Sequence, residues 1–201
     1  MAYADWLQPS KTSGNGNDTV NVSALSNNTG RNARQTNVTF KAVNCDNVLR
    51  TVLQRGKPET SSIQSSAAAQ SGGGTVTIQG TSNSSKLTFK LGTGNLELTL
   101  PANYTAAGLT TANGAAITGD PGATQEYNFS ISFQVPANED ITSKSRQIIV
   151  TDNAGNDYIC LLTLAAGEAY LTVTPASVEL PWDASTNASF TVESNTNWAI
   201  E

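Results

Sequence analysis

Hydrophobic and polar residues alternate with a period of two along much of the chain. Residues 75–79, 95–100 and 127–133 each carry an apolar side chain at every second position, which is typical of β-strands with one buried face. Stretches rich in glycine and asparagine, such as residues 72–74 and 153–156, lie between such segments and are typical of turns. Short strands with frequent turns predict an all-β chain folded as an antiparallel β-sandwich.

The chain also repeats parts of its own sequence. Residues 32–38 resemble residues 144–150, about 112 positions later. Residues 75–78 recur in a similar way as residues 189–192. Self-similarity at a fixed spacing is the signature of tandem structural units.

The repeats predict three successive units. Residues 60–168 form one complete sandwich, residues 1–59 form the back part of another, and residues 169–201 form the front part of a third. The front part offers two or three strands with one apolar face and unpaired edges, which is marginal in water and prone to pairing with other strands. If Trp198 and Trp6 are aligned as the same position of the unit, the two end segments together make one unit of about ninety residues.

The two end segments resemble a known family. Residues 171–177 and 190–198 are similar to the front of a BACON domain, the immunoglobulin-like module named for Bacteroidetes proteins. Residues 6–22 and 34–40 are similar to its back half, and residues 52–56 resemble its last strand. The resemblance implies tandem immunoglobulin-like (BACON-like) antiparallel β-sandwiches, one complete and two partial.

This resemblance implies two alternative functions. BACON domains occur in virion proteins of crAss-like phages that infect Bacteroidetes, which implies a non-enzymatic structural protein such as a capsid decoration, head fibre or tail component. They are also common in carbohydrate-active proteins, which implies a carbohydrate-binding or adhesion module. A virion protein is made in the host cytoplasm and needs no signal peptide, and the first residues lack the basic and apolar regions of one. We therefore expect a structural protein of a virion and keep the carbohydrate-binding module as the alternative.

Composition narrows the chemistry that the chain can perform. It contains no histidine, the usual general base and the commonest metal ligand. Lys and Arg total 11 against 16 Asp and Glu, so the net charge is −5. The sequence has no cluster of basic residues of the kind that binds nucleic acid. The apolar runs are too short to span a bilayer. We expect no catalysis, cofactor or metal, and we expect Cys45 and Cys160 to be lone buried thiols.

Five residues are candidates for contacts with a partner. Trp182 follows a proline at a predicted strand end, which favours an exposed ring. Tyr104 and Thr110 lie in a predicted loop over residues 104–122 that is long and nearly uncharged, and long loops commonly make contacts. Trp6 and Trp198 have two interpretations, because each could stack on a partner or fill a sandwich core.

Two groups of carboxylates have alternative interpretations. Residues 152–157 contain enough side-chain oxygens for a calcium site, but they also fit a hairpin turn, which the sequence favours because the spacing of a calcium loop is absent. Two of the acidic side chains Glu97, Glu126, Glu139 and Asp140 could in principle form a pair for glycoside hydrolysis. Their spacing singles out no pair.

The partial units leave the partner open. Residues 169–201 of one subunit could complete residues 6–57 of another by strand addition, giving an oligomer. The two segments could also pair within one chain, a different virion protein could complete them, or the third unit could continue beyond residue 201. The predicted partners are other virion subunits and, in the alternative function, glycans.

Overall fold

A computed structural model describes residues 3–201, and all regular structure in this part of the chain is β-strand. Among these residues there are fifteen strands, numbered β1 to β15 in chain order. Their bounds are Leu7–Pro9, Val22–Ala24, Arg34–Phe40, Val48–Gln54, Ser61–Ile63, Ser66–Ala69, Gly74–Ser82, Leu87–Gly94, Asn103–Ala106, Leu109–Ala112, Tyr127–Val135, Lys144–Asp152, Asp157–Leu164, Leu171–Thr174 and Thr191–Ser194. No helix long and apolar enough to cross a membrane occurs within residues 3–201.

The central part of the chain is a sandwich of two sheets. One sheet has five strands in the order β10-β9-β11-β7-β5, and the other has four in the order β6-β13-β12-β8. Neighbouring strands are antiparallel except β13 and β6, which run parallel. The prediction of an all-β antiparallel sandwich is confirmed.

The alternation seen in the sequence produces the core of this sandwich. Phe129, Ile131 and Phe133 point inward from β11, and the intervening serines point outward or lie at the margin. Ile148 and Leu162 from the opposite sheet are 0% exposed and pack in the same cluster. Each buried side chain of this size stabilises the fold by roughly 1.5–3 kcal/mol.

The segment predicted as a long loop folds differently. β9 and β10 form a hairpin within it, and Thr110 pairs with Thr105. Tyr104 and Thr111 point into the sandwich from this hairpin and are buried. Tyr104 and Ala106 of β9 and Thr111 of β10 are buried, so the uncharged side chains at these positions reflect packing within the sandwich.

The end segments contain only two-stranded sheets within residues 3–201. β1 pairs with β2, β3 pairs with β4, and β14 pairs with β15, all antiparallel. Each of the five sheets lies inside one of the three predicted units. The unit boundaries themselves stay a prediction.

The two end segments contact opposite ends of the central sandwich. Arg31 donates to the carbonyl oxygen of Asn83, which follows the last residue of β7. Asn195 donates to the carbonyl oxygen of Glu139, which lies beyond the last residue of β11. Because β7 and β11 are antiparallel, these two points are separated by the length of a nine-residue strand, which is roughly 30 Å.

Candidate binding surfaces in the end segments

An open apolar groove lies between the two sheets of the N-terminal segment. It has a volume of about 610 Å³, and its walls come from β2, β3, β4 and the chain before β2. The apolar side chains that line it are Val20, Val22, Val38, Phe40 and Val52. Phe40 and Val22 are each 44% exposed, whereas the inward side chains of β11 are at most 5% exposed. The groove is therefore the interior of a sandwich that residues 3–201 of the same chain leave partly uncovered.

An ion pair borders this groove. Lys11 and Asp18 both line it, and the ammonium nitrogen of Lys11 lies 2.7 Å from each carboxylate oxygen of Asp18. The hydrogen bond from Lys11 and a second one from the amide of Thr19 lower the pKa of Asp18. Both groups are exposed, so the pair adds little stability and marks a polar rim around an apolar floor.

The C-terminal hairpin presents a matching apolar face. In antiparallel pairing Val173 lies opposite Val192, and Leu171 lies opposite Ser194. Leu171 is 57% exposed, Val173 46% and Phe190 51%. A two-stranded hairpin with an uncovered face of this kind is marginally stable alone, so this face is a candidate for contact with other β-structure.

The side chain of a buried asparagine, Asn83, forms hydrogen bonds with the backbone just before β5, where the central sandwich begins. The side-chain oxygen of Asn83 accepts a hydrogen bond from the amide of Thr60 at 2.6 Å, and its nitrogen donates to the carbonyl oxygen of Pro58 at 3.1 Å. The hydroxyl of Ser82 donates to the carbonyl oxygen of Thr60 at 3.2 Å. Asn83 is only 1% exposed, so these bonds replace water entirely.

The C-terminal hairpin repeats this arrangement. The side-chain oxygen of Asn195 accepts from the amide of Tyr170 at 3.0 Å, and its nitrogen donates to the carbonyl oxygen of Glu168 at 2.9 Å. The hydroxyl of Ser194 donates to the carbonyl oxygen of Tyr170 at 2.9 Å. Ser194 and Asn195 therefore hold the positions of Ser82 and Asn83, and β14–β15 corresponds to β5–β7 of the central sandwich.

A second repeated turn was missed from the sequence. Asn28 donates to the carbonyl oxygen of Asn32 at 2.8 Å, and Asn138 donates to that of Thr142 at 2.8 Å. In both turns the asparagine oxygen accepts from the amide two residues further on, at 3.2 and 3.3 Å. The available signal was an asparagine about 110 positions from another, which is weak in a chain so rich in asparagine.

A glycine packs against the backbone of each of these turns. The amide of Lys57, next to Gly56, donates to the carbonyl oxygen of Gly30 at 2.8 Å. The amide of Gly167 donates to the carbonyl oxygen of Asp140 at 2.7 Å. A Cβ atom on Gly56 would lie 2.0 Å from the carbonyl oxygen of Arg31. Gly56 and Gly167 thus lie in close backbone contact where one unit meets the next.

Charged groups reinforce the first of these junctions. The guanidinium of Arg31 donates to both oxygens of Asp120, with the Nη2–Oδ1 distance 2.8 Å, and its Nε lies 3.2 Å from a carboxylate oxygen of Glu59. The hydrogen bond from Arg31 holds the pKa of Asp120 below its usual value, against the opposing effect of burial. The cluster joins the N-terminal segment to the central sandwich.

Two of the predicted contact residues, Trp6 and Trp198, are only partly covered. The guanidinium carbon of Arg34 lies 4.8 Å from the ring centroid of Trp6, a cation–π contact that covers one face of a half-buried ring. Trp198 is 51% exposed, and it lies four residues beyond β15. Neither ring is fully inside a core in this structure.

The other predicted contact residues separate into core and surface. Tyr104 is 4% exposed, and its ring centroid lies 4.7 Å from that of Phe89. Burial raises the pKa of Tyr104, and its hydroxyl has no hydrogen-bond partner among residues 3–201. Tyr104 is thus part of the core and offers no surface for stacking. Thr110 is exposed on the edge strand β10, and Trp182 is 98% exposed.

Of the acidic residues considered for chemistry, Asp152 holds a turn, and Glu126 and Glu139 lie far apart. Asp152 is buried at the end of β12, and its carboxylate accepts hydrogen bonds from Asn156 and from the hydroxyl of Tyr158, which holds a hairpin turn. Glu126 and Glu139 flank opposite ends of β11, roughly 30 Å apart by strand length. Within residues 3–201 no three acidic or cysteine side chains are grouped as a metal site would require.

The two cysteines have opposite environments. Cys160 is 0% exposed in β13, and burial raises the pKa of its thiol. Cys45 is exposed in the turn between β3 and β4. The prediction of two buried thiols was therefore wrong for Cys45, because the β3–β4 turn lies on an uncovered segment.

Comparison with known proteins agrees with the geometry of the N-terminal segment. Residues 1–49 match the family model BACON, described as "Putative binding domain, N-terminal". The match covers β1 to β3 and the beginning of β4, and therefore most of the walls of the groove. No curated protein matches the chain. The N-terminal segment of this chain, residues 1–49, is thus a match to the BACON family of binding domains.

Proposed function

We propose that this chain is a non-enzymatic structural protein of a phage virion, as a capsid decoration, head fibre or tail component. It acts through protein–protein contacts and is made in the host cytoplasm. Its partners are other virion subunits. The observation that carries this proposal is the uncovered apolar groove bordered by Val22 and Phe40, in a segment that matches a family of binding domains.

The architecture supports a mechanical role. A well-packed sandwich lies between two end segments that it holds about a strand length apart, and Arg31 and Asn195 anchor those segments through specific hydrogen bonds. Binding by adding strands to open sheet edges uses main-chain hydrogen bonds for affinity and side-chain pockets for specificity. Such contacts need neither a charged ligand site nor a catalytic group.

The virion role is tested by locating the protein on particles. Antibodies raised against the purified chain are used to label crAss-like phage particles by immunogold electron microscopy, after banding the particles on a density gradient. We expect gold at one particle feature and co-migration of the chain with infectious particles. A chain that remains in the soluble fraction, with unlabelled particles, contradicts the proposal.

A carbohydrate-binding or adhesion module is the alternative, and one observation favours it. The indole of Trp182 is 98% exposed and follows Pro181 at the beginning of a turn. Aromatic faces presented in this way stack on sugar rings. Binding on a glycan array that is abolished by Trp182→Ala, and retained by the control Trp198→Ala, supports this alternative over the virion role.

A further inference from the structure

The groove is open along defined strand edges. Within residues 3–201, β2 pairs only with β1, and β3 pairs only with β4. On the β1 side, Asn21 exchanges hydrogen bonds with Ser10, and the amide of Leu25 donates to the carbonyl oxygen of Trp6. Because backbone groups alternate in direction along a strand, those of Val20 and Val22 point to the free edge.

The central sandwich shows what occupies this edge in a complete unit. β11 pairs with β9 on one side and with β7 on the other, and Ile131 lies opposite Ile78. Residues 20–22 match residues 131–133 in sequence, and Val20 and Val22 line the groove as Ile131 and Phe133 line the core. The free edge of β2 is therefore the place that β7 takes in the central sandwich.

The C-terminal hairpin contains the counterpart of β7. The hydrogen bonds of Asn195 and Ser194 reproduce those of Asn83 and Ser82. Counting back from this shared position aligns Phe190 with Ile78, a shift of two residues from the sequence match of residues 75–78 with residues 189–192. Phe190, Val192 and Val173, which lies opposite Val192, thus form the apolar face that the groove lacks.

The two segments of one chain are held at opposite ends of the central sandwich. β15 ends at Ser194, next to the Asn195 side chain that bonds to Glu139. The N-terminal segment is held by Arg31 at Asn83, at the other end of the nine-residue strands. The roughly 30 Å between these anchors separates β15 from the groove of its own chain.

We propose that the groove is filled by the C-terminal hairpin of a second copy of this chain. The strand containing β15 pairs antiparallel with the free edge of β2, Phe190 lies opposite Val20, and residues 198–200 continue along the free edge of β3. This inference rests on the proposed function and names the partner of its contact surface. The contact joins two different surfaces, so it propagates head to tail into a filament or closes into a ring.

Mixing of variants blocked at one end tests this inference. Phe190→Asp with Val192→Asp blocks the donor hairpin, and Val20→Asp with Val38→Asp blocks the groove. We expect the unaltered chain to form species whose mass grows with concentration in light scattering, and each blocked variant to remain at 21.0 kDa. An equimolar mixture should give a dimer of about twice that mass and nothing larger, because only one donor and one groove remain.

The mixture also controls for misfolding, since each variant must use its intact end to form the dimer. Ile159→Asp is a matched control, because this residue is 47% exposed on the outer side of the central sandwich, and it should assemble like the unaltered chain. An unaltered chain that stays monomeric, or a mixture that stays monomeric while the unaltered chain assembles, overturns the inference. Gold labelling of phage particles would then still decide the virion role independently.

Disulfide trapping tests the register. Ser132 and Thr77 lie opposite each other with hydroxyl oxygens 2.8 Å apart, and their counterparts are Asn21 and Ser189. In a Cys45→Ser background, Asn21→Cys chains mixed with Ser189→Cys chains should form a disulfide-linked dimer on oxidation, since such pairs meet the distance limits of a disulfide. A dimer formed by Ser23→Cys in place of Asn21→Cys, or no linked dimer, overturns the proposed register.

Discussion

Arg31 and Asp120 are 89 residues apart in the chain and form a two-point ion pair across the junction of the N-terminal segment with the central sandwich. The same guanidinium donates to the carbonyl oxygen of Asn83 at 2.6 Å. One side chain therefore connects the groove-bearing segment to two loops of the sandwich. This sets the direction in which the groove faces.

Replacing Arg31 by alanine should loosen this junction. Loss of charge-assisted hydrogen bonds to a partly exposed carboxylate should cost roughly 1–2 kcal/mol in the stability of the docked N-terminal segment. Faster cleavage near residues 55–60 in limited proteolysis, with unchanged unfolding of the central sandwich, would show this. Arg50→Ala is the control, since Arg50 is exposed and its hydrogen bond within residues 3–201 is to the neighbouring carbonyl oxygen of Leu49. Equal cleavage of both variants would contradict the assignment.

The same pair predicts a pH dependence. Because Arg31 lowers the pKa of Asp120 in the folded chain, the pair stabilises the junction above the usual aspartate pKa of about 3.9. That stabilisation is lost as the pH falls through the lower folded-state value, where the carboxylate becomes protonated. Small-angle scattering at pH values between 7 and 2.5 should show a smaller or more broadly distributed radius of gyration only in the acidic range. Asp120→Asn should remove this component of the transition.

Gly56→Ala should also disturb the junction, for a steric reason. The added Cβ would lie 2.0 Å from the carbonyl oxygen of Arg31, so the backbone of one segment must move. Overpacking of this kind costs roughly 1–3 kcal/mol, measurable as a lower midpoint for the N-terminal segment in urea. Gly72→Ala is a suitable comparison, because nothing lies within 4 Å of its added Cβ. A Gly56→Ala chain as stable as Gly72→Ala would show that the close contact is not maintained in solution.

Tyr104 and Trp182 should respond in opposite ways to mutation. Tyr104→Ala removes a core ring and should cost roughly 3–5 kcal/mol, whereas Tyr104→Phe should be neutral or stabilising because it removes a buried hydroxyl without a partner among residues 3–201. Trp182→Ala should leave the thermal midpoint unchanged, since the ring is 98% exposed. Calorimetry of the three variants checks these values. A large loss in Tyr104→Phe would indicate a hydrogen bond to that hydroxyl.

The two thiols should differ in reactivity. Cys45 is exposed and should react readily with a thiol reagent in the folded chain. Cys160 is fully buried with a raised pKa and should react only after unfolding. Counting labelled thiols by mass spectrometry before and after denaturation measures the reactivity of both cysteines. Labelling of Cys160 at the rate of Cys45 would contradict the packing of β13.

Much of the fold was predictable because its determinants are local. Inward-facing positions such as Phe129 and Ile131 alternate with polar ones, and that period predicted β11. Residues 95–100 alternate in the same way but form no strand, so the period is a guide that the surrounding structure can override. The repeats showed which segments have counterparts, and the resemblance of residues 6–22 to a BACON domain agrees with the family match at residues 1–49. Cys45 and the hairpin at Tyr104 were misjudged, since burial depends on which segments lie above a residue.

The sequence alone determined that this protein is built from antiparallel strands in repeated units, because side-chain alternation and turn residues act over a few positions. Only the tertiary structure decided that the N-terminal groove is open and that its counterpart hairpin lies at the far end of the central sandwich. The reason is physical: side chains such as Arg31 and Asn195 select their partners across long sequence separations. Those contacts, and the strand length between them, set which surfaces can meet.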